Sequence, residues 1–197
     1  MQGKTGPHPA GCASTAVRHR ESAAFFLDMA ATAPAEQSVQ CVKASLIFSA
    51  LTHEAFVDEL AARLLDEADR VDFLAASHTQ RLHLLLRAFW HLPDYAQRPY
   101  STLIELFSVM NYMVAGMAET LVRDRVHIPR ADNLADGGAT DADWEAFCTL
   151  DNARRVYEDI QAIAGDIFRR AGIHVDEDDL FNPPVTPNHA AVASSAG

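Results

Sequence analysis

The residues best suited by type to proton transfer are His53 and Glu54, which are adjacent in an apolar segment. On a helix with about 100° per residue, His53 falls within about 20° of the centre of the apolar stripe and Glu54 falls near its flank, at about 80°. We therefore expect His53 to be buried. A single buried histidine is more often a hydrogen-bonded core side chain than an acid, a base or a ligand, so packing is the first interpretation and acid–base chemistry the alternative.

The spacing of the histidines and cysteines does not support a metal site. None of the nine histidines forms an HxxxH or HExxH pair, and the repeated ExxH pairs of a di-metal helical bundle are absent. Cys12, Cys41 and Cys148 lie far apart without a CxxC spacing. An odd number of cysteines also argues against a disulfide framework and favours a reducing compartment.

One acidic segment partly matches a calcium-binding loop. Residues of the right type occupy its first, fifth, sixth and twelfth positions: Asp132, Asp136, Gly137 and Asp143. Leu134 stands at the third position and cannot coordinate an ion, and the twelfth position lacks the longer Glu. The chain also has no phosphate-binding loop, dinucleotide fingerprint or nucleophile elbow. We expect no metal and no cofactor.

Composition indicates one globular domain and excludes several partners. The chain has 197 residues, of which 49% are hydrophobic and 22% charged, enough to bury a core. Its formal net charge of -11 disfavours DNA binding along a basic face, and an RNA partner would need a local basic patch. No apolar run is long enough to span a bilayer, and the N-terminal residues lack a signal-peptide pattern. We expect a soluble, cytoplasmic protein that binds no membrane.

Hydrophobic periodicity predicts helices throughout and no strand. The predicted helices cover about residues 14–33, 35–70, 79–91, 100–126 and 143–170. Loops are expected at 94–99 and 127–141, where proline, glycine and aspartate are frequent. The sequence therefore predicts an all-α bundle of four to five helices at 14–173, between a flexible tail at 1–13 and a disordered acidic and proline-rich tail at 174–197.

Two parts of this pattern resemble a known family. Residues 44–60 read ASLIFSALTHEAFVDEL, and a later segment reads RLHLLLRAFWHLPD at 81–94, RPY at 98–100 and LIELF at 103–107. In order and spacing these segments resemble the HEPN superfamily, in particular its RiboL-PSP-type members, which are small all-α domains of bacterial toxins and defence ribonucleases. The resemblance covers about residues 35–170.

The catalytic signature of that family is degenerate in this chain. Active HEPN ribonucleases carry an Arg, usually followed by Asn, with a His four to six residues beyond the Arg. In the matching stretch Met110 stands in place of the Arg, Asn111 is kept, and Ala115 stands in place of the His. Cleavage of RNA by its 2'-hydroxyl needs an acid or base and a cation at the phosphate, and neither Met nor Ala supplies one.

The resemblance therefore implies a HEPN-like domain that has lost ribonuclease activity and acts as a binding or dimerisation module, in a defence or toxin–antitoxin setting. One alternative is a ribonuclease that still works through other residues, for which the candidates are His53, Glu54, Asn111 and Tyr112. Another alternative is a helical scaffold with no connection to RNA.

Two surfaces are expected to bind proteins. The predicted helix at 100–126 is apolar well around its circumference, and Met110, Met113 and Met117 would give an adaptable homodimer interface. In the C-terminal tail an acidic run at 176–179 precedes Leu180 and Phe181, which is typical of short segments that dock into grooves of other proteins. A solvated acidic tail that folding does not need is the simpler interpretation.

Overall fold

The chain is an all-α bundle, as predicted. The computed structural model describes residues 14–88, 92–115, 141–170 and 181, with the backbone alone at 68, 79, 88, 111–115 and 141–143. These residues form seven helices and no strand, and none of the helices is both long and apolar enough to cross a membrane. The helices are α1 (Thr15–Thr32), α2 (Ala35–Leu64), α3 (Glu67–Ala75), α4 (His78–Ala88), α5 (Tyr100–Ala115), α6 (Asp141–Phe147) and α7 (Leu150–Arg170).

Helices α1 and α2 form a tightly packed antiparallel pair. Ala16, Ala23 and Ala30 recur every seven residues on α1 and are buried, so the backbones approach closely along this seam. Two serines of α2 bond across it: Ser45 Oγ donates to the Ala23 carbonyl at 2.9 Å, and Ser38 Oγ donates to the Ala30 carbonyl at 2.8 Å. The pair is therefore fixed in register by both packing and hydrogen bonds.

The predicted helix at 35–70 is interrupted, which corrects the sequence prediction. Helix α2 ends at Leu64, and Leu65 adopts an extended conformation with φ of -88° and ψ of 142°. The Asp66 carboxylate then accepts a hydrogen bond from the Asp69 amide at 2.9 Å and caps α3. A side chain that satisfies a backbone amide in this way stabilises a new helix start at the expense of a continuous helix.

The predicted helix at 143–170 is interrupted for the same reason. Helix α6 ends at Phe147 and α7 begins at Leu150. Between them, Thr149 Oγ1 accepts a hydrogen bond from the Asn152 amide at 3.2 Å, which caps α7. The two interruptions explain why seven helices replace the four to five that periodicity indicates. Residues 116–126 of the predicted helix at 100–126, residues 127–140 of the predicted loop at 127–141 and the N-terminal tail at 1–13 lie outside the described residues. Residue 141, predicted as loop, is the first residue of α6.

The core lies where α2 and α7 meet, with α1, α4 and α5 packed around them. Its large, fully buried side chains include Leu46 and Phe56 on α2, Leu103 and Leu106 on α5, and Ile163 and Ile167 on α7. These residues follow the spacing of three and four that the sequence shows. Helix α5 therefore carries its apolar stripe against the bundle.

Phe181 belongs to the core, although the sequence predicts that it lies in a tail. Its side chain is 0% exposed, and its ring packs edge-on against Phe56 with centroids 5.3 Å apart. The hydroxyl of Ser14, the residue that caps α1, donates to the Phe181 carbonyl at 2.5 Å. The prediction for this residue is wrong because a full aromatic ring gains more from burial than the local acidic composition suggests.

Phe181→Ala is expected to lower the free energy of unfolding by about 3 kcal/mol or more, because a buried ring is lost and leaves a cavity. Phe25 is the matched control, since 59% of it is exposed. Phe25→Ala should change the free energy by less than about 1 kcal/mol. Urea denaturation followed by circular dichroism measures both, and equal small effects would show that Phe181 contributes nothing to the core.

Candidate functional site

His53 is buried as predicted, but its environment differs from the expected one. The residue is 2% exposed, and neither Nδ1 nor Nε2 has a hydrogen-bond partner in the part of the chain that the structure describes. The expectation that a buried histidine here is hydrogen-bonded is therefore wrong. Unsatisfied buried polar atoms are uncommon in folded proteins and each costs about 1–3 kcal/mol, so this position is held by the packing around it.

Burial also sets the protonation state of His53. Desolvation lowers the pKa of His53 to about 3, with a further lowering by the charge of His78. The imidazole is thus neutral at physiological pH. A buried ring of this kind cannot exchange protons with a substrate at the surface, because it has neither solvent access nor a pKa near neutrality.

The ring of Phe107 on α5 contacts both His53 and a second histidine, His78. Its ring centroid lies 5.9 Å from that of His53, at an interplanar angle of 62°. It also lies 5.6 Å from the ring of His78, which is stacked on it at 5°. His78 is the first residue of α4 and was not among the candidates from the sequence. Side chains of α2, α5 and α4 meet here.

A capping interaction positions His78. The Ser77 amide donates to the Gln80 side-chain oxygen at 2.8 Å, which is one half of a capping box and fixes the start of α4. The sequence signal was the Ser-x-x-Gln pattern at 77–80, which places His78 at the first position of the helix. The periodicity of the apolar residues begins later and predicted a start at Thr79.

Glu54 and His78 form the acid–base pair of this site. The Glu54 Oε1 lies 3.2 Å from the His78 Nδ1, and the two side chains are 28% and 51% exposed. Desolvation raises the pKa of Glu54, with the nearby charge of His78 opposing the rise and that of Asp58 adding to it. A carboxylate that holds Nδ1 leaves Nε2 as the imidazole atom able to exchange protons with a bound molecule.

The Arg81 guanidinium, whose charge acts on Glu54, is committed to structural contacts. Arg81 Nη1 lies 3.2 Å from a carboxylate oxygen of Asp58. Its Nε and Nη2 donate to the carbonyls of Ala76 and Leu74, at 3.1 and 3.2 Å. These carbonyls lie at the C-terminal end of α3, so the guanidinium caps that helix. Arg81 is therefore not placed to bind a phosphate beside Glu54 and His78.

Two further arginines tie α7 to α5 and to the segment before it. Arg98 makes a two-pronged interaction with the buried carboxylate of Asp159, at 2.9 and 2.8 Å. Arg155 donates to Glu105 at 2.7 Å. The paired geometry of Arg98 is the strongest that Arg and carboxylate make. Both cations therefore serve the packing of the bundle.

The remaining predicted site residues lie on and beyond α5. Met110 is partly buried and packs against the core of its own chain. Asn111 follows Phe107 by one helical turn, and the side chains of residues 111–115, including Tyr112, Met113 and Ala115, lie outside the described part. Met117 lies beyond the described end of α5. The structure thus brings His53 and Glu54 together with His78, a residue that the sequence did not single out.

The described residues offer neither a metal site nor an enclosed ligand pocket. Within the described ranges, no group of three or more His, Cys, Asp or Glu side chains could hold a metal ion. A depression between α1, α2 and α7 has about 160 Å³ of free space, part of which is open to solvent. Its lining side chains leave no room for a water-sized molecule, so the depression is not a ligand pocket.

No protein-family model, curated protein or solved structure matches this chain. Membership of a family is therefore not assigned, and the HEPN resemblance stays a prediction from the sequence.

His53→Leu is expected to reduce the sensitivity of the fold to acid. Because the folded pKa of His53 is about 3 and its ordinary value is 6.5, the unfolded chain binds an extra proton as the pH falls below 6.5. The free energy of unfolding then falls with a slope that approaches about 1.4 kcal/mol per pH unit, which amounts to about 2 kcal/mol between pH 7.5 and pH 5. Urea denaturation at pH 7.5 and pH 5 should show the variant gaining that amount relative to the unmodified chain. An equal difference at both pH values would contradict it.

Proposed function

We propose that this chain is a HEPN-like helical module that has lost ribonuclease chemistry and acts by binding or dimerisation, within a bacterial defence or toxin–antitoxin system. The first support is the sequence signature, in which Met110 and Ala115 stand where the family has Arg and His. A ribonuclease of this design would need replacements for both groups.

The main support for the proposal is the burial of His53. This histidine is the candidate from the sequence that could replace the missing one, and it is 2% exposed with a pKa lowered to about 3. An imidazole in that state neither reaches RNA nor changes its protonation at neutral pH. The cations give further support, because Arg81, Arg98 and Arg155 all bind carboxylates of the bundle.

A second candidate function, an active ribonuclease, is favoured by one specific contact. Glu54 lies 3.2 Å from Nδ1 of the half-exposed His78, and this arrangement could take the proton from a 2'-hydroxyl through Nε2. Among the described residues, the Arg81 guanidinium beside this pair is held by Asp58 and by the end of α3, so it is not placed to bind the phosphate. We therefore rank it second.

The full chain is expected to leave single-stranded and structured RNA intact, at the level of a buffer blank. Gel electrophoresis of labelled RNA after incubation with the purified protein measures this. Glu54→Gln and His78→Gln are the variants that assign any activity. Cleavage by the unmodified chain that both variants abolish would overturn the proposal in favour of the second candidate, because a contaminating nuclease would be insensitive to them.

Dimerisation is proposed through α5, where the sequence concentrates apolar residues. Met113→Glu is expected to shift a homodimer toward monomer without unfolding it, because the new carboxylate would be buried unpaired in the interface. Ser108→Glu is the control, since Ser108 lies on the same helix and is exposed. Light scattering at micromolar concentration measures both, and a monomer for the unmodified chain would refute the dimer.

A further inference from the structure

Four rings form a row along one side of the α1–α2 pair. His19 and Phe26 of α1 both contact Phe48 of α2, with ring centroids 5.9 and 5.6 Å apart, and the Phe26 and Phe48 rings are stacked at 8°. Phe25 packs edge-on against Phe26 at 5.5 Å. None of these four side chains is buried, and none belongs to the hydrophobic core. This aromatic row therefore lies outside the core of the bundle, at the surface.

Helix α7 covers a different side of the same pair. Arg20 of α1 and Ser49 of α2 face α7, where they line one space together with Tyr157. Each of the two follows directly after a member of the aromatic row, His19 or Phe48, so it points about 100° away from that row. The aromatic row thus lies on a flank of the α1–α2 pair that α7 does not cover.

Two exposed apolar side chains extend the row toward the end of α1. Phe25 is 59% exposed, and Met29, one helical turn further along, is 41% exposed. Residues four apart share one face of a helix, so these two form a continuous apolar stripe. Rings beside an adaptable methionine are typical of surfaces on which an amphipathic helix lays its apolar face, with anchors spaced at three, four and seven residues.

The charged residues along this stripe are acidic. Glu21 lies four residues before Phe25 and Asp28 three residues after it, on the same face of α1, and both are exposed. Glu36 is exposed in the first turn of α2. No lysine or arginine occurs between residues 21 and 42. Opposite charges steer a partner toward its site, so a basic partner fits this surface, whereas the same face of a second copy would bring carboxylates together.

We propose that the aromatic row, together with the apolar stripe of Phe25 and Met29, is the docking surface for a basic amphipathic helix of a partner protein. The partner helix lies along the flank of the α1–α2 pair that α7 does not cover. Its apolar residues contact the rings, and its lysines or arginines lie beside Glu21 and Asp28. The proposal rests on the proposed function of a binding module and names the chemistry of its partner.

The probe is a fluorescent peptide of about 18 residues, or five helical turns, with leucines along one face and lysines on both flanks. Fluorescence polarisation with the full chain should show a micromolar Kd. Phe25→Ala/Met29→Ala should weaken binding at least about ten-fold, because both apolar contacts are lost. Val71→Ala/Leu74→Ala is the matched control, since it removes two side chains of α3 that are 66% and 62% exposed, and it should leave the Kd unchanged.

Charge is tested separately from apolar contact. Asp28→Asn should weaken binding several-fold at physiological ionic strength. Asp72→Asn is the control, because Asp72 is an exposed carboxylate on α3 whose charge is screened from the α1 surface, and it should leave binding unchanged. The same peptide with glutamate in place of every lysine should not bind.

Three results would overturn the proposal. The first is no binding of the lysine peptide to the unmodified chain at about 100 μM. The second is equal weakening by the α1 and α3 double variants. The third is a dimer that Phe25→Ala/Met29→Ala converts to a monomer in light scattering, since a second copy would then occupy the surface.

The α1 double variant should remain folded, because exposed side chains contribute little to stability, and circular dichroism checks this. Asp28→Asn keeps the proposal testable if the double variant does not fold. The RNA and α5 experiments change Glu54, His78 and Met113, none of which lies in the aromatic row or the stripe. The two proposals therefore fail separately.

Discussion

Desolvation of one face of α2 is the constraint on which the rest of this molecule depends. That face packs against α1, α7, α4 and α5, and it carries four buried polar residues: Ser45, Ser49, Thr52 and His53. Two are satisfied by backbone carbonyls, Ser45 by Ala23 and Thr52 by Phe48. The other two, Ser49 and His53, have no hydrogen-bond partner among the described residues.

His53 and Glu54 are neighbours on α2, but they differ in burial because they point to different sides of the helix. His53 lies near the middle of the buried face, whereas Glu54, about 100° further around the helix, reaches its edge and contacts His78. Burial lowers the pKa of the first and raises that of the second, because in both cases it disfavours the charged form. The result is a neutral histidine in the core beneath a carboxylate–imidazole pair at the surface, linked through the ring of Phe107.

Local patterns predict the helical class and the inward face of α2, including the burial of His53, because apolar residues recur at three and four. The same periodicity continues across Leu65 and Thr149, so it misses interruptions that side-chain caps create. It also misses Phe181, whose bond to Ser14 joins residues 167 positions apart and leaves no local signal. His78 was missed because its importance comes from Glu54 and Phe107, on two other helices.

His53 is locked in the core as a neutral side chain. Nitrogen-15 NMR of the imidazole groups between pH 8 and pH 5 tests it most directly, with His53 assigned by the resonance lost in His53→Leu. We expect the His53 nitrogens to keep neutral chemical shifts over this whole range, because the pKa is about 3. A titration of His53 with a midpoint near the ordinary value of about 6.5 would contradict it, since the ring would then be accessible and able to exchange protons at neutral pH.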